Sequence, residues 1–402
     1  MPTTDNQGSF LNLISIRRNQ VTNIEPAHDQ DQEDLDLFQK HAATRFSDLL
    51  SSASEDTDAQ PPPPPPLLSV SWLRNLLDAF LCCEAEFKAI LISGRDPALL
   101  SKPPLDRLIP DLLDRSVKAL DICNALSHGV ELLRHWHKLA QIAVTSLKQT
   151  PLGEGQVRRA RKALATILTS MAFDDKEHTA TNSSFHGRLV ERTCSFGRRG
   201  NSNKDRYVSH FRSLSWSVAK SWSAAKQIHV MSANIVAPRG AETTALPMPI
   251  FIMSNILVFV MWALVAAIPC QERAGLATHL PFPKQLNWAQ PMSGLVEKIG
   301  EDWKKKEKKG SAGLLEEVQR LERVAQWLVD LADSFMFPMD DDKAAEVAAQ
   351  VAELAEICEK MEEGLLPLQQ QIREVFHKMV RSRAEVLDVL DQAGKSSIPV
   401  PY

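Results

Sequence analysis

His135 and His137 flank Trp136 and are the side chains whose type and spacing come nearest to a metal site. Two positions apart on a helix, their rings point about 200° around the axis, so they cannot share one ion. His137 falls on an apolar stripe and reads as a core histidine, while His135 faces away. Gly153-Glu154-Gly155 precedes an Arg-rich segment, and a helix N-terminus with glycines can bind phosphate. No strand precedes it and neither Walker nor Rossmann spacing is present, so a helix–helix turn fits better. Asp340, Asp341 and Asp342 have the chemistry of a hard-cation site but not the spacing of an EF-hand loop; helix capping is the simpler use. Cys82, Cys83, Cys123, Cys194, Cys270 and Cys358 form no CxxC pair, which suits free thiols in a reducing compartment. No GxSxG and no Cys–His signature occurs. The expectation is a protein that is not an enzyme, with no cofactor, no metal and no small-molecule substrate.

The stronger signals are electrostatic and apolar. Between His186 and Val230, Arg188, Arg192, Arg198, Arg199, Lys204, Arg206, Arg212, Lys220 and Lys226 face only Glu191 and Asp205, a local charge of +7 in a chain of net charge −4. Each Lys or Arg near an anionic cytoplasmic leaflet contributes ~1 kcal/mol, and Trp216 and Trp222 are suited to the headgroup level. The pattern suits anionic lipid; a solvated basic loop is the competing reading. Nucleic acid is not expected as a partner, since no recognised binding module accompanies the charge. Arg192-x-x-Ser195 and Arg199-x-x-Ser202 place two phosphorylation candidates in the same stretch. Phosphate adds about −1.5 to −2 charge each and would weaken lipid attraction.

Residues 250–268 read IFIMSNILVFVMWALVAAI, with no charge and only Ser254 and Asn255 polar. As a helix this is about 28 Å long, close to the ~30 Å hydrocarbon core of a bilayer. Two arrangements satisfy it: a membrane span, with Ile250, Phe251, Val258, Phe259, Trp262 and Ile268 on lipid, or the buried helix of a large core. Lys226 and Arg239 on one flank balance Arg273 and Lys284 on the other, so the positive-inside rule gives no orientation.

The elements that carry these features are helical. Glycine numbers only 16 and aromatics 6%, against 44% hydrophobic and 24% charged residues; this argues for helices with an ordinary globular core. Residues 1–66 read as a tail, a short helix over 33–50 and a linker ending in Pro61–Pro66, six prolines that favour stiff polyproline II. The N-terminus lacks a signal-peptide layout and a Gly at position two, which fits a cytosolic protein held at a membrane from within. Residues 67–173 form an N-terminal helical region. Leu73, Leu76, Phe80, Cys83, Phe87 and Ile90 step by three and four, with Ser69 or Ser71 as cap. A long helix from Leu105 to about 150 follows, carrying Leu126, Val130, Leu133, His137 and Ala140, and another spans 156–173. Residues 174–207 are a basic polar loop. The 208–290 unit holds an amphipathic helix over 207–235 and the apolar helix. Residues 291–395 read as a C-terminal three-helix bundle, with stripes from Leu314, Val347 and Leu368 and a tight corner at Gly364–Pro367. The expected fold is an all-α, elongated antiparallel bundle with one very apolar helix.

Several stretches also resemble a family. GSFLNLISIRRNQ, DLFQKHAATRFSDLL, SWLRNLLDAFLCCEAEFKAIL, SHFRSLSWSVAKSWSAAKQIHVMSANIVAPRG and MSNILVFVMWALVAAIPCQERAGL are similar to the plant BYPASS-related proteins, most closely their ROH-type branch. The resemblance covers most of the chain. It implies a helical, non-enzymatic protein that binds exocyst tethering subunits in polarised secretion of wall polysaccharide such as mucilage. The alternative it implies is a BYPASS-like regulator of a mobile root-derived signal in shoot and root development. It carries over no catalytic residues.

Overall fold

The structure is a computed structural model and describes residues 27–51, 65–92, 97–176, 222–238, 246–270, 275–283, 285–307, 313–334 and 341–396. Among these residues the fold is all-α, with no strand. The helices are α1 (Ala27–Ser51), α2 (Val70–Ile92), α3 (Pro97–Leu100), α4 (Leu105–Leu147), α5 (Glu154–Lys176), α6 (Ala224–Ser232), α7 (Pro247–Ala267), α8 (Gln290–Glu307), α9 (Glu316–Asp333) and α10 (Asp341–Ser396).

The periodic stripes become the core. Leu35, Phe38, Ala42, Phe46 and Leu49 of α1 are all buried, as are Leu73, Leu76, Phe80, Cys83, Phe87 and Ile90 of α2. Ser69 caps α2 by accepting from the Trp72 amide at 3.2 Å, which satisfies one of the orphan donors of the first turn. The Trp72 indole donates to the Leu49 carbonyl at 3.1 Å and so fixes the α1–α2 hairpin. Across it, Arg45 makes a two-pronged ion pair with Glu86.

α4 and α10 form the frame. At ~1.5 Å per residue, α4's 43 residues give about 65 Å and α10's 56 residues about 84 Å. They run antiparallel: Arg134 donates to Gln369 at 3.3 Å and Gln141 to Glu362 at 3.2 Å. α5 folds back along α4, α9 packs between α5 and α10, and α2 lies along α10. All of these share one continuous apolar cluster.

The expected corner at Gly364–Pro367 is absent: α10 continues through both residues. A Cβ on Gly364 would lie 2.5 Å from the Val70 Cγ1 atom. Its smallness therefore makes room for the start of α2 and does not serve a turn. Pro367 gives up one main-chain hydrogen bond inside the helix. Gly129 in α4 is a second notch of this kind: its Cβ would stand 2.1 Å from the Pro269 carbonyl oxygen, at the exit of α7. α8 is a helix that the sequence pattern does not announce. Its buried stripe, Met292, Leu295, Val296, Ile299 and Trp303, is interrupted in the sequence by Gly294 and Gly300, both poor helix formers. Of the helix expected over 207–235, residues 207–221 lie outside the described residues, and the described part is helical only over α6.

Three distant segments are laced together beside α7. Leu314 and Leu315 amides donate to the Ala266 and Ala267 carbonyls at 2.9 and 3.1 Å, and the Glu316 amide donates to the Leu68 carbonyl at 3.2 Å. The first two bonds satisfy carbonyls that the C-terminus of α7 leaves open.

Candidate functional site

α7 begins with Pro247 at a position where a missing N–H costs nothing. Among the described residues it is the one helix long and apolar enough to cross a membrane, by length and composition alone. Fourteen of its side chains are Val, Ile, Leu, Met, Phe or Trp. Leaving them in water would cost roughly 20–40 kcal/mol at about 1.5–3 kcal/mol each, more than the whole stability of a domain. Something apolar must cover them. In this fold the cover is protein: α1, α2, α4, α6 and α8 all pack on α7, and every residue of it is buried. Ile250, Phe251, Val258, Phe259, Trp262 and Ile268, the candidates for lipid contact, all lie inside. Phe259 meets Phe46 edge-on at 5.6 Å and Phe282 at 6.2 Å between ring centres. The Trp262 indole donates to the Ala277 carbonyl at 2.7 Å. Asn255 donates to the Phe251 carbonyl at 2.8 Å, so its polarity is absorbed within the helix.

Arg188, Arg192, Arg198, Arg199, Lys204, Arg206, Arg212 and Trp216 lie outside the described residues, as do Ser195 and Ser202. The segment that holds them leaves from the end of α5 and re-enters at Trp222, which is half-buried and packs against the core. Ser223 then caps α6, accepting from the Lys226 amide at 3.4 Å. Ala224, Ala225, Ile228 and Met231 face inward, while Lys226, His229 and Val230 face solvent. Val230 is 51% exposed and Val236 60%. Arg115 of α4 pins this re-entry. Its Nε donates to the Met231 carbonyl at 3.1 Å and an Nη to the Ala233 carbonyl at 3.4 Å. A cation on the last carbonyls of a helix also complements its dipole.

Folding does not gather the histidines, aspartates and cysteines into a reactive site among the described residues. His137 faces α10, and its Nε2 is buried without a hydrogen bond. Burial lowers its pKa, opposed by Glu362 and the Cys358 backbone, so the neutral ring is favoured. Burial likewise lowers the pKa of His135. Gly153–Gly155 forms the turn and first residues of α5, where Glu154 pairs with Arg158. Asp340 lies outside the described residues. Among those described, no three His, Cys, Asp or Glu side chains cluster as metal ligands. Burial pushes the Cys83 and Cys123 thiols up to about 12, far from reactive thiolates.

One feature has no counterpart in the sequence motifs. Between the 147–152 turn and the N-terminal half of α10 lies an open groove of about 640 Å³. Its floor is Leu147, Leu152, Val347 and Val351, and its wall is Ala348, Ala352 and Ala355. Leu147, Leu152 and Val347 also line the apolar seam beneath, between α4, α5 and α9. The signal is the alanine spacing on α10, which the more apolar Val347–Val351–Leu354 stripe beside it hides. Residues 341–363 carry eight carboxylates against Lys343 and Lys360, a net charge of −6.

Similarity to known proteins runs along the whole chain. The family model described as "Protein ROH1-like" matches residues 1–390. Protein ROH1A of Arabidopsis thaliana is 55% identical over 99% of this chain and 99% of its own length. Protein ROH1D of the same plant is 41% identical over 97% of this chain and 98% of its own. No solved structure matches. The chain therefore belongs to the ROH1-like family, a BYPASS-related family that is not a known enzyme family.

Proposed function

We propose that this chain is a non-enzymatic helical adaptor that binds exocyst subunits in polarised secretion and rests on anionic membrane through its basic segment. Membership of the ROH1-like family supports the first part. What supports the two-sided reading is the opposite charge of two stretches of the chain, +7 over residues 186–230 and −6 over residues 341–363. The chain re-enters after the basic residues at α6, which Arg115 holds; the acidic half of α10 lies at the other end of α4, beside Leu147. Residues 115 and 147 are ~48 Å apart along the helix at ~1.5 Å per residue. The two stretches are suited to partners of opposite character. Contact with lipid falls to Arg188, Arg192, Arg198, Arg199, Lys204, Arg206, Arg212 and the tryptophans beside them. Phosphate on Ser195 or Ser202 would weaken that contact. With α7 enclosed by protein, the membrane association is peripheral, on the cytosolic face.

The test uses the full-length chain in two assays. Purified exocyst subunits should be retained by the immobilised protein. Vesicles containing phosphatidylserine should carry it upward in flotation, with binding that weakens as salt rises. Failure to retain any exocyst subunit would remove the adaptor reading, and equal flotation with neutral vesicles would remove the electrostatic one.

A further inference from the structure

The groove on α10 has an exposed wall that the fold leaves uncovered. Ala348 and Ala352 of that wall are exposed, as are Ala345 and Ala349 beside them on α10, so an incoming helix can approach the α10 backbone closely. At its C-terminal end the groove is rimmed by Glu356 and Glu359, and the exposed Glu362 and Glu363 follow within the next turn of α10. Two of these are engaged within the chain: Arg320 holds Glu356 at 3.2 and 3.3 Å, and Gln141 donates to Glu362 at 3.2 Å. Among the described residues Glu359 and Glu363 make no hydrogen bond or ion pair. Lys148 is the single cation among the described residues that line the groove. The site is thus apolar at one end, anionic at the other, and continuous at its floor with the core between α4, α5 and α9.

We propose that this groove receives an amphipathic, cationic helix from a partner protein. Its apolar side chains would enter between the 147–152 turn and the alanine wall, and Lys or Arg near one end would meet Glu359 and Glu363. Helix-in-groove docking takes its affinity from apolar anchors at i, i+3, i+4 and i+7, and the alanines leave room for anchors of Leu size. The carboxylates then fix the direction of the bound helix and favour basic sequences. The same charge holds an anionic bilayer away from this face. The proposal rests on the adaptor reading and supplies the surface and partner chemistry that reading needs.

The probe is a 16-residue helical peptide with Leu at i, i+3, i+4 and i+7 and Lys in its last two turns, labelled for fluorescence anisotropy against the full-length protein. Tight, saturable binding is expected for it, and at least tenfold weaker binding for the same peptide with Glu in place of Lys. Ala352→Arg is expected to weaken the Lys peptide at least tenfold with unchanged circular dichroism and melting temperature. Glu359→Lys with Glu363→Lys is expected to reverse the preference toward the Glu peptide. Equal binding of both peptides to the native chain overturns the proposal, as does an Ala352→Arg protein that binds normally. Displacement of the probe only by a peptide of residues 186–226, or self-association of the chain on titration, also overturns it, since the groove is then filled by this chain itself. Normal exocyst capture by the Ala352→Arg protein would discard the groove and leave the adaptor standing; no capture by the native chain would remove the adaptor.

Discussion

Glu317 is 247 positions from Val70 in sequence, yet its carboxylate accepts the Val70 amide hydrogen at 3.1 and 3.2 Å. It caps α2 from α9 and so fastens the entry of the first core hairpin to the second half of the molecule. The local sequence around Val70 could not reveal this, because the acceptor arrives by tertiary packing; only Ser69, three residues from its own donor, was legible. The arrangement has an electrostatic cost. Burial raises the Glu317 pKa from 4.5 to about 7, against the two backbone amides that lower it. A carboxyl whose folded pKa lies above its unfolded one binds more protons in the native state between those values. Its contribution is therefore intact below pH 4.5 and is lost as pH rises through 7, by about 3 kcal/mol in all. Glu317→Gln keeps an oxygen to accept the Val70 amide and removes the ionisation. Urea unfolding at pH 5 and pH 8 is expected to show the variant gaining about 2–3 kcal/mol on the native protein between the two. An offset that does not change with pH would mean that Glu317 stays ionised and well solvated.

The helices themselves were largely legible, since a stripe at three-and-four spacing encodes its own buried face: Leu35 to Leu49 of α1 and Leu73 to Ile90 of α2 are buried as their spacing requires. What spacing cannot encode is the neighbour. Gly364 and Pro367 carry breaker chemistry, but Gly364 answers to Val70 across the interface, and the helix runs on. α7 exposes the same limit, because a bilayer and a protein core select the same apolar residues; the fold resolves it by wrapping α7 in five helices. Phe259, fully buried between Phe46, Trp262 and Phe282, makes that consequence measurable. Phe259→Ala is expected to cost about 3–5 kcal/mol in denaturant unfolding of detergent-free protein. If Phe259 faced lipid in the working state, the detergent-free fold would not depend on it, and its midpoint would stay in place.

Across the whole molecule, α6, where the chain re-enters after the basic residues, and the groove sit at opposite ends of one long helix, and this sets how perturbations at the two ends combine. The ~48 Å between residues 115 and 147 of α4 far exceeds the ~8 Å Debye length of physiological salt. Charge changes at one end are screened from the other, and perturbations so far apart add to within ~0.3–0.5 kcal/mol. Replacing Arg188, Arg192, Arg198 and Arg199 by Gln is therefore expected to lower vesicle flotation several-fold while the affinity for the Lys peptide stays within twofold. Glu359→Lys with Glu363→Lys is expected to lower Lys-peptide affinity while flotation stays within twofold. Peptide binding on vesicle-bound protein is expected to match that in solution. These outcomes together would describe an adaptor that holds lipid and partner at once, as a strut. A peptide affinity that rises when the four arginines are removed, or when vesicles are added, would mean that residues 186–226 reach the acidic face in the free protein. Membrane binding would then uncover the groove, and the molecule would be a switch.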